Sequence, residues 1–81
     1  MTRNQLNQYL AATITTLDEV DFAPETSLYL GLGSDMEIWD TVKTVLQAGN
    51  LATFDTDYTV KITPEGHALA AKINAFAAAN R

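Results

Sequence analysis

The chain has no cysteine, a single histidine and no long apolar run. The absence of cysteine excludes disulfides, thiolate metal sites and a cysteine nucleophile. The amino-terminal residues contain no signal-peptide core, and no segment approaches the ~20 apolar residues of a membrane span. These absences predict a cytoplasmic protein without a membrane partner. Its 81 residues, 47% of them hydrophobic, are enough for one folded domain over residues 1–81.

Basic residues are also scarce, because five Lys and Arg oppose ten Asp and Glu, for a net charge of −5. The imbalance is sharpest between residues 18 and 40, where the chain has seven acids and no base. Such a surface repels phosphate and attracts basic protein surfaces. The same acids could serve only to keep a small protein in solution. Both interpretations stay open at this stage.

Four helices are predicted from the spacing of apolar residues and from end signals. They cover residues 3–17, about 24–30, 35–48 and a final segment that begins after residue 63. Their predicted start signals are a Thr2–Gln5 capping box, Pro24 at a first helical position, a Ser34–Glu37 capping box and a Thr63 N-cap. Glycines 31 and 33 indicate a tight turn, and Gly49-Asn50 indicates the end of the third helix.

A β-hairpin is predicted between the last two helices. Residues 51–54 and 58–62 are rich in β-branched and aromatic side chains, and Asp55-Thr56-Asp57 is the predicted turn between them. Tyr58, Val60 and Ile62 alternate with polar residues, so we expect them on the buried side of the strand.

Several apolar side chains outside the hairpin are also expected in the core. Val20 and Phe22 can reach it from the acidic connection after the first helix. The third and fourth helices have apolar stripes formed by Ile38, Trp39, Val42, Val45 and Leu46, and by Leu69, Ile73 and Phe76.

The stretch "LQAGNLATFDTDYTVKITPEGHALAAKI" resembles part of the MarR- and PadR-type regulators of the winged helix-turn-helix superfamily. In those proteins a recognition helix ends in "GL", two wing strands follow, and "LTxxG" opens the next helix. The matching residues are Leu46, Gly49, Leu51, Tyr58, Val60, Ile62, Thr63, Gly66 and Leu69. The resemblance implies an α+β winged-helix-like domain with three main helices, a short helix and a two-stranded wing. In DNA-binding members it implies that the 35–48 helix enters the major groove while the wing tip contacts phosphate.

The surface that this resemblance assigns to DNA is acidic here. The exposed face of the 35–48 helix carries Glu37, Asp40, Thr44 and Gln47. Because Lys and Arg contacts to phosphate supply most non-specific affinity, these carboxylates argue against nucleic acid as the partner. We therefore predict a non-enzymatic protein that binds a basic protein partner, as an adaptor, a regulator or an inhibitor of nucleic-acid-handling machinery. The predicted partner-binding residues are Asp35, Met36, Glu37, Trp39, Asp40, Asp55 and Asp57.

Two alternatives stay open from the sequence. The chain could be a dimeric winged-helix transcriptional regulator that contacts DNA through Arg3, Lys43 and Lys61. Trp39 could be the largest core residue, or it could form a surface aromatic-thioether patch with Met36.

The outer face of the final helix carries little bulk or charge. Alanine on this face can simply favour the helix, but a smooth surface also allows a second helix to approach closely. A homodimer through the C-terminal helix is therefore predicted, with Ala71, Asn74, Ala75 and Ala78 as the dimerisation residues.

No catalytic, cofactor-binding or metal site is predicted. His67 is expected to face solvent and has no carboxylate at a ligand spacing on its own helix. Ser34 has no nearby base, which argues against a nucleophile. The acids at 35, 37 and 40 lack the irregular glycine-containing loop of a calcium site. We therefore expect neither an enzyme nor a bound cofactor.

Overall fold

Residues 1–79, which the computed structural model describes, form four helices and a three-stranded antiparallel sheet. The elements are α1 (Arg3–Val20), β1 (Phe22–Pro24), α2 (Glu25–Gly31), α3 (Met36–Ala48), β2 (Ala52–Phe54), β3 (Thr59–Ile62) and α4 (Pro64–Ala79). The α+β class, the four helices and the hairpin are confirmed.

The sheet has the order β1-β3-β2, so the prediction of only two strands is wrong, although the predicted hairpin is present as β2 and β3. β3 is central, and its Val60 pairs with Ala23 on one side and with Phe54 on the other. β1 is only three residues long and ends in Pro24. Proline has no backbone N–H to donate to a neighbouring strand. An edge strand tolerates this because one of its sides has no neighbour. A strand of three residues that ends in proline is too short to show an alternation of apolar and polar residues in the sequence.

α1 begins at the predicted capping box but extends beyond the predicted end at residue 17. The Gln5 backbone N–H donates to Thr2 Oγ1 at 3.1 Å, and the Thr2 N–H donates to Gln5 Oε1 at 2.9 Å. The helix ends at Val20, and Asp21, with a φ of 68°, is its C-cap. The predicted burial of Val20 and Phe22 is wrong, since they are 48% and 61% exposed. The added helical turn and the start of β1 direct both side chains outward.

The starts of α2 and α3 lie one residue after the predicted signals. Pro24 is the last residue of β1, and α2 begins at Glu25. Asp35, and not Ser34, caps α3: its Oδ1 accepts the backbone N–H groups of residues 37 and 38 at 3.0 and 3.1 Å. Ser34 has a φ of 59° and belongs with Gly33, at 82°, to the predicted tight turn.

The junction between α3, the hairpin and α4 is built around Thr63. Its hydroxyl donates to the Asn50 carbonyl at 2.6 Å and accepts the Gly66 backbone N–H at 3.0 Å. The predicted N-cap is therefore confirmed. Asn50, with a φ of 53°, supplies the left-handed residue at the end of α3, while Gly49 has an ordinary φ of −87°.

The core lies between the helices and one side of the sheet. Its fully buried side chains are Ile14, Leu17, Val42, Leu46 and Val60. Tyr58 and Phe76, both predicted to be buried, are each 72% exposed. Tyr58 lies in the turn with a φ of 63°, so the strand alternation begins one residue later than predicted. Phe76 lies on the side of α4 that lines an open groove beside α1, so its place in the apolar stripe does not bury it.

Candidate functional site

The outer face of α3 is the acidic surface that the sequence predicts. Glu37, Asp40, Thr44 and Gln47 are all exposed. Neither Glu37 nor Asp40 forms an ion pair with any residue among 1–79. The Thr44 hydroxyl donates to the Asp40 carbonyl at 2.8 Å, so its proton is used within the helix. This face therefore presents negative charge and hydrogen-bond acceptors.

Lys43 of α3 and Lys61 of β3 are each paired with a carboxylate. Lys43 Nζ lies 3.0 Å from Glu25 Oε1 and 5.2 Å from the centroid of the Phe54 ring. Lys61 Nζ lies 3.1 Å from Asp55 Oδ2. A phosphate would have to compete with these partners for either ammonium group.

The predicted partner-binding carboxylates differ in whether they already form a hydrogen bond or an ion pair within the domain. Asp35 caps α3, Asp55 binds the hairpin lysine, and Asp57 accepts the backbone N–H of residue 59 at 3.1 Å. Glu37 and Asp40 have no such structural partner within the described residues. They are consequently the carboxylates best able to bind a cation from outside.

An open cavity of about 260 Å³ lies between α2, α3 and the hairpin turn. Its lining includes Met36 and Asp40 from α3, Tyr29 from α2 and Tyr58 from the turn. The hairpin is held here by the Glu25 backbone N–H, which donates to the Tyr58 carbonyl at 2.8 Å. The cavity thus brings three predicted residues, Met36, Trp39 and Asp40, beside two tyrosines that sequence reasoning missed. Tyr58 has a positive φ, which its residue type does not predict.

Trp39 is a core residue and not a surface anchor. It is 4% exposed, and its ring lies 6.3 Å from that of Phe54, centroid to centroid, at an interplanar angle of 56°. Of the two alternatives for Trp39, the core position is therefore confirmed and the surface patch with Met36 is wrong. Met36 is 56% exposed, whereas the tryptophan supports the cavity wall and offers a partner little area.

His67 does not simply face solvent, as predicted, but joins α4 to the end of α1. Its Nδ1 lies 2.6 Å from Asp18 Oδ1 and its Nε2 lies 3.5 Å from Asp21 Oδ1. These carboxylates are 49 and 46 positions away from His67 along the chain. Residue spacing within the helix that carries His67 could therefore not predict them. The contacts link two helix ends. Within residues 1–79, no group of three or more His, Cys, Asp or Glu side chains is arranged to hold a metal ion.

The residues predicted for dimerisation form an exposed face of α4. Ala71, Asn74, Ala75 and Ala78 are all accessible, so a smooth uncharged surface exists there. Dimerisation through this face stays a prediction. None of the helices in the described part of the chain is long and apolar enough to cross a membrane.

Comparison of the chain with models of protein families, with curated proteins and with solved structures found no match. The winged-helix resemblance therefore stays a prediction from the sequence.

Proposed function

We propose that this protein is a non-enzymatic binding domain that contacts a cationic surface of a partner protein. The contact surface is the outer face of α3 with the adjoining cavity and hairpin turn. One observation carries the proposal: Glu37 and Asp40 are exposed without an ion-pair partner among residues 1–79, while Lys43 and Lys61 are each paired with a carboxylate. The local potential is negative, which steers and orients a basic partner.

The cavity adds an apolar component to this charge. Met36 and Tyr58 are 56% and 72% exposed, and Asp40 lies with them in the same lining. Methionine and tyrosine are enriched in protein interfaces, where they supply contact area. A Lys or Arg side chain of the partner can pack its aliphatic stem on these two residues while its charged end reaches the carboxylate.

We also infer a winged-helix-like scaffold, in which α3 is the recognition helix and β2–β3 the wing. Supporting this are the order of the helices and hairpin and the "ITPEG" segment that opens α4. On such a scaffold, acids replace the basic residues that a DNA-binding helix needs for phosphate. This favours a regulator or inhibitor of a basic protein, including one that handles nucleic acid, over a transcriptional regulator.

The proposal is tested by fluorescence anisotropy with two labelled probes, a Lys/Arg-rich peptide and a random-sequence DNA duplex, over a range of salt concentrations. We expect the protein to bind the peptide, with affinity falling as salt rises. No duplex binding is expected even at low salt. Duplex affinity that rises steeply as salt falls would instead favour the DNA-binding alternative.

A matched pair of double variants separates a specific surface from overall charge. Glu37→Gln with Asp40→Asn neutralises the α3 face, and Glu19→Gln with Glu65→Gln makes the same charge change at other exposed acids. Exposed ion pairs contribute about 0.2–1 kcal/mol each, so the first variant should lose roughly twofold to thirtyfold in peptide affinity. The second should lose clearly less. Equal losses would mean that only net charge matters and would overturn the assigned surface.

A further inference from the structure

A second surface, the groove between α1 and α4, has a different chemistry from the acidic face. The groove has a volume of about 610 Å³. Leu10, Ala11, Leu69, Ile73 and Phe76 supply its apolar lining, and Lys72 is the only charged lining residue among residues 1–79. Phe76 is 72% exposed beside it. An apolar groove next to an accessible aromatic ring is typical of a protein–protein contact.

Charge selects the partner for this groove. All ten Asp and Glu residues lie between positions 18 and 65, and residues 3–17 and 66–79 contain none. Two copies with a net charge of −5 repel one another wherever their carboxylates meet. The groove is therefore a surface on which two copies can approach without opposed carboxylates, and unlike the alanine face of α4 it also offers large apolar side chains. A cationic partner gains nothing from it.

We propose that a second copy of this chain occupies the groove in a two-fold symmetric dimer. In an isologous contact the same patch serves both copies, so Phe76 of each copy packs into the groove of the other. α1 and α4 of the two copies then form a four-helix arrangement. This surface lies on the opposite side of α4 from Ala71, so it differs from the alanine face that the sequence suggested.

The available area predicts a weak and reversible dimer. Helices of 18 and 16 residues are about 27 and 24 Å long at 1.5 Å per residue. Two such helices side by side cover a face of about 500 Å². Stable complexes bury about 800 Å² per partner, so this contact is smaller than a usual stable interface and a reversible dimer is expected.

Sedimentation equilibrium of the full chain, from about 1 µM to about 1 mM, tests the proposal. Monomers should predominate at the low end and dimers at the high end. Phe76→Glu and, separately, Lys72→Glu each place a carboxylate at the groove and should weaken dimerisation at least about tenfold. The control Ala71→Glu has a new carboxylate on the far side of α4 and should keep the wild-type constant within about twofold.

Circular dichroism verifies that each variant is folded. If Phe76→Glu does not fold, Lys72→Glu decides the test. A wild-type chain that stays monomeric at every concentration would overturn the proposal. This holds even if the monomer binds a small amphiphile. A dimer lost in Ala71→Glu but kept in both groove variants would also overturn it, because the alanine face would then be the interface.

Discussion

Gly66→Ala is expected to destabilise the protein, although alanine normally favours a helix over glycine. Gly66 is buried in the first turn of α4, where that helix meets the base of the hairpin. A Cβ atom built there would overlap the Leu51 carbonyl oxygen and lie 2.6 Å from Ile62 Cγ1, well inside the 3.4 Å at which ordinary contact begins. The Ile62 side chain can rotate away, but the backbone carbonyl cannot.

The Leu51 carbonyl also accepts the Thr63 backbone N–H at 3.1 Å, so moving it strains the hydrogen bond that closes the hairpin base. Forcing an extra carbon into a packed site costs about 1–3 kcal/mol, and a weakened hydrogen bond adds about 0.5–1.5 kcal/mol. The helix propensity of alanine returns at most about 1 kcal/mol. A net loss of about 1–3 kcal/mol in the free energy of unfolding follows.

Urea denaturation followed by circular dichroism measures this loss by linear extrapolation. Gly31→Ala is the matched control, because a Cβ at Gly31 has no heavy atom within 4 Å. It should change stability by less than about 0.5 kcal/mol or raise it slightly. If Gly66→Ala is as stable as the wild type, the close approach of α4 to the hairpin is refuted.

Three further outcomes are expected. Thr63→Val removes the N-cap of α4 and should lower the free energy of unfolding, measured in urea, by about 1–2 kcal/mol. The control Thr53→Val, at an exposed position of β2, should change it by less than about 0.5 kcal/mol. A double-mutant cycle of His67→Ala and Asp18→Ala should give a coupling of at most about 1 kcal/mol that declines with salt, because both side chains are partly exposed; a coupling insensitive to salt would contradict this. Trp39, at 4% exposure, should resist acrylamide quenching until urea unfolds the chain; quenching as strong as in the unfolded chain would show an exposed ring.

Local signals predicted most of the helical framework. The Thr2–Gln5 capping box and the Thr63 cap are each complete within four residues of sequence, so they could be read directly. Where two neighbouring residues can both cap, the sequence does not decide. Ser34 and Asp35 are such a pair, and the left-handed φ of Ser34 leaves the cap to Asp35.

Long-range contacts explain most of the misses. β1 exists because β3 offers it a partner edge, and that pairing joins residues nearly forty positions apart. The link between His67 and Asp18 likewise depends on α1 lying against α4. Phe76 shares the helical spacing of a buried stripe, but burial depends on what packs against that part of α4, and the open groove there leaves the ring exposed.

The candidate site was predictable in its charge but not in its pairing. The amphipathic spacing of α3 correctly turns Glu37 and Asp40 outward. That Lys43 is held by Glu25 required the tertiary contact between α2 and α3, 18 positions apart in sequence. Pairing matters as much as exposure here, because Glu25 balances the charge of Lys43 and leaves Glu37 and Asp40 without a cation of their own.

The two proposed surfaces lie on different sides of α1 and do not compete. Gln5 and Tyr9 lie beside Glu37 at the start of α3, whereas Asn7 and Ala11 line the groove toward α4. A dimer formed through the groove would therefore leave both acidic faces accessible. A partner with two basic sites could then engage both copies, and the second contact would form at the high effective concentration set by the first. Each exposed ion pair contributes little binding free energy in water. Binding through both copies would nevertheless be tighter by avidity, even though the dimer itself is weak.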